Sequence, residues 1–124
     1  MSTKSKIVIA EDDPILSKMY SHKCEALGLD AKTVHNGKDA LEIMKSFQPD
    51  LVLMDLMMPV MDGFTAIQKA QEDPALKNIP IVVLTNLSTA EDANRAIKMG
   101  AKDYIVKSNL TPSEVMEKVS SFLP

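Results

Sequence analysis

Five short apolar runs punctuate the chain: Ile7 to Ala10, Ala31 to Val34, Leu51 to Met54, Ile81 to Leu84 and Tyr104 to Val106. Each predicts a strand. The first, third and fourth lack polar alternation, which suits parallel strands covered on both faces rather than antiparallel strands with one wet side. The second is weaker, because Lys32 and Thr33 interrupt it.

Segments with helical periodicity lie between the runs, and most carry explicit start and stop signals. Asp13-Pro14 offers an N-cap followed by proline at the first helical position. Leu16, Met19, Tyr20 and Leu27 can then share a face, and Gly28 can end the helix. Asn36 can cap a second helix, with Ala40, Met44 and Phe47 inward and Pro49 ending it. Asp62 can cap a third, in which Phe64, Ile67 and either Ala70 or Gln71 follow at helical spacing. Ser88 with Glu91, and Thr111 with Glu114, match the capping-box pattern and open helices four and five. Gly100 closes the fourth, while Val115, Val119 and Phe122 form the buried stripe of the fifth. Strands alternating with helices through right-handed crossovers predict an open parallel α/β sheet with helices on both faces.

Composition narrows the class. A length of 124 residues suits one domain, 1–124, with enough chain for a continuous core. Aromatic residues reach only 4% and tryptophan is absent, so aliphatics and the nine methionines must fill that core. The net charge is -3 with both signs interspersed, which leaves no basic face for direct nucleic-acid binding. No apolar stretch approaches a membrane span or a signal-peptide core, so a cytoplasmic protein without membrane association is expected. Cys24 is the only cysteine and reads as a small buried residue; His22 and His35 share no metal-binding spacing and read as surface or boundary residues.

The strand ends hold residues that an apolar run does not need. The first ends in Glu11-Asp12-Asp13, the third in Asp55, the fourth in Thr85 and the fifth in Lys107. In an open parallel sheet, ligands bind at the carboxyl ends of the strands. Carboxylates gathered there repel one another unless a cation joins them, and oxygen ligands that must leave room for phosphate favour Mg2+. Asp55 is placed to act as a nucleophile and form an aspartyl phosphate. The metal and the Lys107 ammonium would neutralise charge on the phosphoryl oxygens, and the Thr85 hydroxyl would hydrogen-bond one of them afterwards.

The acidic residues after strand one, the stretch Asp55-Leu56-Met57-Met58-Pro59-Val60-Met61-Asp62-Gly63, the threonine ending strand four and the stretch Gly100-Ala101-Lys102-Asp103-Tyr104-Ile105-Val106-Lys107 together resemble the receiver domains of two-component response regulators. The resemblance covers essentially the whole chain. It implies a flavodoxin-like (βα)5 fold with strand order 2-1-3-4-5. It also implies Mg2+ ligation by Asp12, Asp55 and the backbone carbonyl of Met57, with Glu11 acting through water. A histidine kinase or histidine phosphotransfer protein would donate the phosphoryl group to Asp55. Thr85 and Tyr104 would be the switch residues that report phosphorylation to the face formed by helix four, strand five and helix five.

The expected role is therefore a phosphoacceptor signalling domain that promotes its own phosphorylation and dephosphorylation, rather than a turnover enzyme. The acidic register has an alternative, Asp12-Asp13; Glu11-Asp12 is preferred because Asp13 before Pro14 already has a capping role. Two positions depart from the family pattern: Ser108 follows Lys107 where proline is usual, and Asn86 follows Thr85 where alanine or serine is usual. A phosphatase of haloacid-dehalogenase type would need a second acid two residues after the nucleophile, and Met57 there cannot transfer protons. An interaction module that is never phosphorylated would have no use for the full acidic, threonine and lysine set. Met57 and Leu87, the positions flanking the phosphoryl group in the family, are both apolar, which predicts slow self-dephosphorylation.

Overall fold

A computed structural model of the protein describes residues 4–86 and 90–124. The elements run β1 (Lys6–Ala10), α1 (Pro14–Ala26), β2 (Asp30–Val34), α2 (Gly37–Phe47), β3 (Leu51–Asp55), α3 (Gly63–Glu72), β4 (Ile81–Thr85), α4 (Ala90–Met99), β5 (Asp103–Val106) and α5 (Pro112–Ser120). A 3-10 turn, Lys107–Asn109, leads from β5 toward α5. All paired strands are parallel, in the order β2-β1-β3-β4-β5. This is the flavodoxin-like arrangement that the family resemblance implies.

The helix starts follow the capping chemistry. Asp13 Oδ1 accepts the backbone N–H groups of Ile15 and Leu16, at 2.9 and 3.3 Å. Asn36 and Asp62 accept those of Asp39 and Thr65, each at 2.8 Å. Thr111 and Glu114 form the reciprocal capping box. Such caps satisfy N–H groups that the helix itself leaves without acceptors. The Ser88 end of the expected fourth box lies outside the described residues. Gly28 and Gly100 adopt φ of +74° and +124° just beyond α1 and α4, a region that side chains disfavour.

Period-two alternation splits the core into two layers. Ile7, Ile9, Leu51, Leu53, Val82, Leu84 and Ile105 point toward α1 and α5. Val8, Ala10, Val52, Met54, Ile81 and Val83 point the other way, toward α2, α3 and α4. Every residue of β3 and β4 is buried, which accounts for their unbroken apolar runs. β2 sits at one sheet edge and is only half covered, so it tolerates Lys32 and Thr33.

The inner face of α1 differs from the expected one. Met19 and Leu27 are exposed, and the buried stripe is Ser17, Tyr20 and Cys24, with Leu16 beside it. Hydrophobicity favoured the larger side chains, but packing places the small Ser17 and Cys24 where the helix lies against the sheet. The other inward faces agree with expectation: Ala40 and Met44 in α2, Phe64, Ile67 and Ala70 in α3, and Val115 and Val119 in α5 are buried. Cys24 is fully buried, whereas His22 and His35 are exposed.

Candidate functional site

The alternation that builds the core also aims the site. The row Ile7, Ile9 in β1 continues to Glu11, the row Leu51, Leu53 in β3 ends in Asp55, and Ile105 in β5 is followed two residues later by Lys107. Glu11, Asp55 and Lys107 therefore stand on the side of the sheet that carries α1 and α5. Thr85 belongs to the opposite row, after Ile81 and Val83, and Tyr104 pairs with Val83 on that same side. The two residues expected to act as switches thus share the α4 side of the sheet.

Glu11 is fully buried, Asp55 is 4% exposed and Thr85 1%. Asp12 is exposed at the rim. One carboxylate oxygen from each of Glu11, Asp12 and Asp55 lies within 4.8 Å of the others. The Lys107 ammonium donates to Asp55 Oδ2 at 2.6 Å and to Glu11 Oε1. The other Asp55 oxygen accepts the Met57 backbone N–H at 3.1 Å, and Glu11 Oε2 accepts that of Asp13 at 3.2 Å. His35 Nδ1 lies 3.0 Å from the Glu11 carbonyl oxygen and helps fix that segment.

Burial pushes the Glu11 carboxyl up to about 7, with the nearby Asp55 carboxylate acting in the same sense and the Lys107 hydrogen bond opposing both. Burial alone would lower the Lys107 ammonium, but its hydrogen bonds to Asp55 and Glu11 outweigh that and raise it, so it stays charged. One cation faces three acids. This donor set is all oxygen and is incompletely neutralised by Lys107, which fits a hard divalent cation.

The Asp13 carboxylate is engaged as the cap of α1, whereas those of Glu11 and Asp12 lie beside Asp55. Tyr104, 38% exposed on the edge strand, stands apart from the charged group. Met57 lies beside Asp55 through its backbone while its side chain is 63% exposed. The Lys107-Ser108 bond is trans, like every peptide bond among the described residues.

Sequence reasoning missed one support of the site. A Cβ on Gly63 would come within 2.8 Å of the Leu56 Cα and would overlap the Asp55 carbonyl, while the Gly63 N–H bonds the Leu56 carbonyl at 3.0 Å. Only glycine lets α3 begin this close to Asp55. The Asp62-Gly63 pair was visible as a helix start, but nothing local reveals what its backbone would press against.

The sequence profile of the response regulator receiver domain matches residues 7–120. The chain belongs to this family. It is a receiver domain of the two-component type, a phosphorylation-dependent signalling domain. Among curated relatives it is 33% identical over 120 residues to a probable transcriptional regulator, ycf27, of Porphyridium aerugineum, covering 97% of this chain and 48% of the relative. It is also 33% identical over 118 residues to the DNA-binding dual master transcriptional regulator RpaA of Synechocystis sp., covering 95% and 48%. The chain thus spans about half the length of these relatives. Among solved structures, the chemotaxis response regulator CheY4 of Vibrio cholerae superposes with a TM-score of 0.88 at 26% identity, covering 98% of this chain and 100% of that one. The BeF3-activated N-terminal receiver domain of Klebsiella pneumoniae RstA gives 0.84 at 30% identity, covering 95% and 97%. No helix among the described residues is long and apolar enough to cross a membrane.

Proposed function

We propose that residues 1–124 act as one receiver domain in which Asp55 accepts a phosphoryl group from the phosphohistidine of a histidine kinase or phosphotransfer protein. An Asp55 oxygen forms the new bond to phosphorus, the phosphorus–nitrogen bond breaks, and the departing imidazole keeps that electron pair and gains a proton. The observation that carries this reading is the Lys107 ammonium 2.6 Å from Asp55 Oδ2, on a carboxylate whose other oxygen is held by the Met57 N–H. Lys107 orients the nucleophile and opposes the charge that develops on the phosphoryl oxygens.

Glu11, Asp12, Asp55 and the Met57 carbonyl would hold Mg2+, with Glu11 acting through water. When bound, the ion supplies further positive charge against the phosphoryl oxygens. After transfer, the Thr85 hydroxyl donates to a phosphoryl oxygen, and Tyr104, on the same side of the sheet, shifts the α4–β5–α5 face toward a second arrangement. The domain promotes both its own phosphorylation and its own dephosphorylation. Its relatives' names point to transcriptional control, which this receiver would serve by acting on an effector rather than by touching DNA itself. A cytoplasmic location suits that role.

Incubation with acetyl phosphate and Mg2+ followed by intact mass measurement tests the assignment. One phosphoryl group is expected on the wild type and none on Asp55→Asn. Equal labelling of that variant would place the acceptor elsewhere, and no labelling of the wild type would favour an interaction module.

A further inference from the structure

The connection from β2 to α2 touches both segments that carry the acidic cluster. Val34, the last residue of β2, accepts the Glu11 backbone N–H at 3.0 Å, and His35 Nδ1 lies 3.0 Å from the Glu11 carbonyl oxygen. Further along, the Gly37 N–H donates to the Met61 carbonyl at 2.8 Å, in the loop between Asp55 and α3. A Cβ on Gly37 would stand 2.6 Å from that same oxygen and 3.0 Å from the Asp62 carbonyl, so α2 starts pressed against the loop. Asn36, between His35 and Gly37, caps α2 by accepting the Asp39 N–H at 2.8 Å. His35 therefore projects from a backbone that is fixed on either side.

A carbonyl oxygen can only accept, so the contact with Glu11 requires the imidazole proton on Nδ1. The peptide that joins Glu11 to Asp12 is a rigid plane. Its carbonyl belongs to Glu11 and its N–H to Asp12, so a donor that fixes the direction of the one sets the start of the other. The Glu11 carboxylate is held independently, by Lys107 and by the Asp13 N–H. Asp12 stands at the exposed rim, with a carboxylate oxygen within 4.8 Å of those of Glu11 and Asp55, and takes its placement from this peptide. The His35 side chain is itself exposed, so its packing matters little to stability and its contribution is the hydrogen bond.

We propose that His35 is a positioning residue for the divalent-cation site: its Nδ1–H, bonded to the Glu11 carbonyl, holds the Glu11–Asp12 peptide in the orientation that keeps the Asp12 carboxylate beside Asp55. A group that orients a metal ligand without touching the ion raises affinity, because less ordering is left to occur on binding. This inference rests on the proposed role of Asp12 as a Mg2+ ligand.

His35→Ala removes the donor, His35→Phe keeps a planar ring without it, and His35→Asn returns a side-chain N–H close to the position of Nδ1. Mg2+ affinity, from a titration followed by amide NMR, should fall about fivefold in His35→Ala and His35→Phe and return toward the wild type in His35→Asn. In the metal-free protein the Glu11 carbonyl 13C resonance should move in the first two variants and recover in the third, at a nearly unchanged melting temperature. With acetyl phosphate as donor, the Mg2+ concentration giving half the maximal labelling rate should rise by the same factor in His35→Ala, while the rate at saturating Mg2+ changes much less. Asp12→Ala serves as the control. If Asp12→Ala binds Mg2+ like the wild type, the reading of the metal site fails and this inference with it. If Asp12→Ala binds weakly but His35→Ala binds like the wild type, or His35→Asn fails to restore affinity, the role of His35 alone is overturned.

Discussion

Lys107 reaches from the end of β5 past the intervening β4 to Asp55 on β3, and its ammonium also meets Glu11 beyond β1. A single cation therefore ties together the ends of three strands in a pocket that leaves its side chain only 9% exposed. A buried ion pair of this kind is weak evidence for stability in itself, but removing one partner strands the other in a poor solvent.

Lys107→Met should accordingly lower the free energy of unfolding by about 3 kcal/mol in the absence of divalent ions. Added Mg2+ should recover part of the loss, because a bound cation neutralises the same carboxylates and stabilises the folded state by mass action. Urea unfolding with and without Mg2+ measures both. An identical deficit in the two conditions would mean that the carboxylates do not share their charge between lysine and metal.

Asp12 and Asp13 are neighbours with different work. Asp13→Ala removes the acceptor for the Ile15 and Leu16 N–H groups and should cost about 1 kcal/mol of stability, with Mg2+ affinity little changed. Asp12→Ala should weaken Mg2+ binding with little effect on stability, since Asp12 is exposed and caps nothing. A metal titration in which Asp13→Ala is the weaker binder would reverse the register.

Val60 adopts φ of +67° with its side chain 79% exposed. A β-branched residue there carries strain of roughly 1–2 kcal/mol, and exposure means that no packing offsets it. Val60→Asn should raise the unfolding free energy by about 1 kcal/mol, since asparagine tolerates this conformation. A urea midpoint at or below that of the wild type would show that the strain is relieved some other way.

Much of this was legible before the structure. The apolar runs gave all the strands because β3 and β4 are buried on both faces, where hydrophobicity alone decides. The caps at Asp13, Asn36, Asp62 and Thr111 were readable because capping is local chemistry. The inner stripe of α1 was not, because Ser17 and Cys24 are buried for their small size and only the three-dimensional approach of helix to sheet reveals that. The clustering of Glu11, Asp55 and Lys107 followed from one rule about strand ends. The sharing of Lys107 between the two carboxylates did not, since it depends on side-chain reach across the sheet.

Cys24 gives the alkaline limb of stability a definite sign. Burial pushes its thiol from the ordinary 9.0 up to about 11, so between those values the folded chain keeps a proton that the unfolded chain has lost. Its contribution is complete below pH 9.0 and falls away as the pH rises toward about 11. Tyr20 adds to the decline between 10.0 and about 12. Urea unfolding between about pH 8 and about pH 10 should show wild-type stability dropping by on the order of 1 kcal/mol, with a flatter profile for Cys24→Ala. Parallel profiles for the two proteins would sink the argument.

The lifetime of the phosphorylated state is expected to turn on Met57. Loss of the group by hydrolysis requires a water in line with the phosphorus: its oxygen bonds to phosphorus, the bond to the Asp55 oxygen breaks, and inorganic phosphate leaves with the carboxylate restored. A polar side chain at the rim accelerates this by orienting that water. The Met57 N–H fixes its backbone beside Asp55 at 3.1 Å, and its side chain stands 63% exposed at the mouth. A thioether donates nothing and accepts weakly, so it is expected to offer no hold on that water. The companion position, Leu87, lies outside the described residues, so the test is made at Met57 alone. Met57→Asn supplies both a donor and an acceptor and should speed the decay of phosphoprotein severalfold, whereas Met57→Leu, equally apolar, should leave it slow. The measurement is loss of the phosphorylated mass with time after removal of the donor, at constant Mg2+. A decay rate common to wild type, Met57→Asn and Met57→Leu would show that the side chain at this position neither shields nor orients, and that the water is held by other groups.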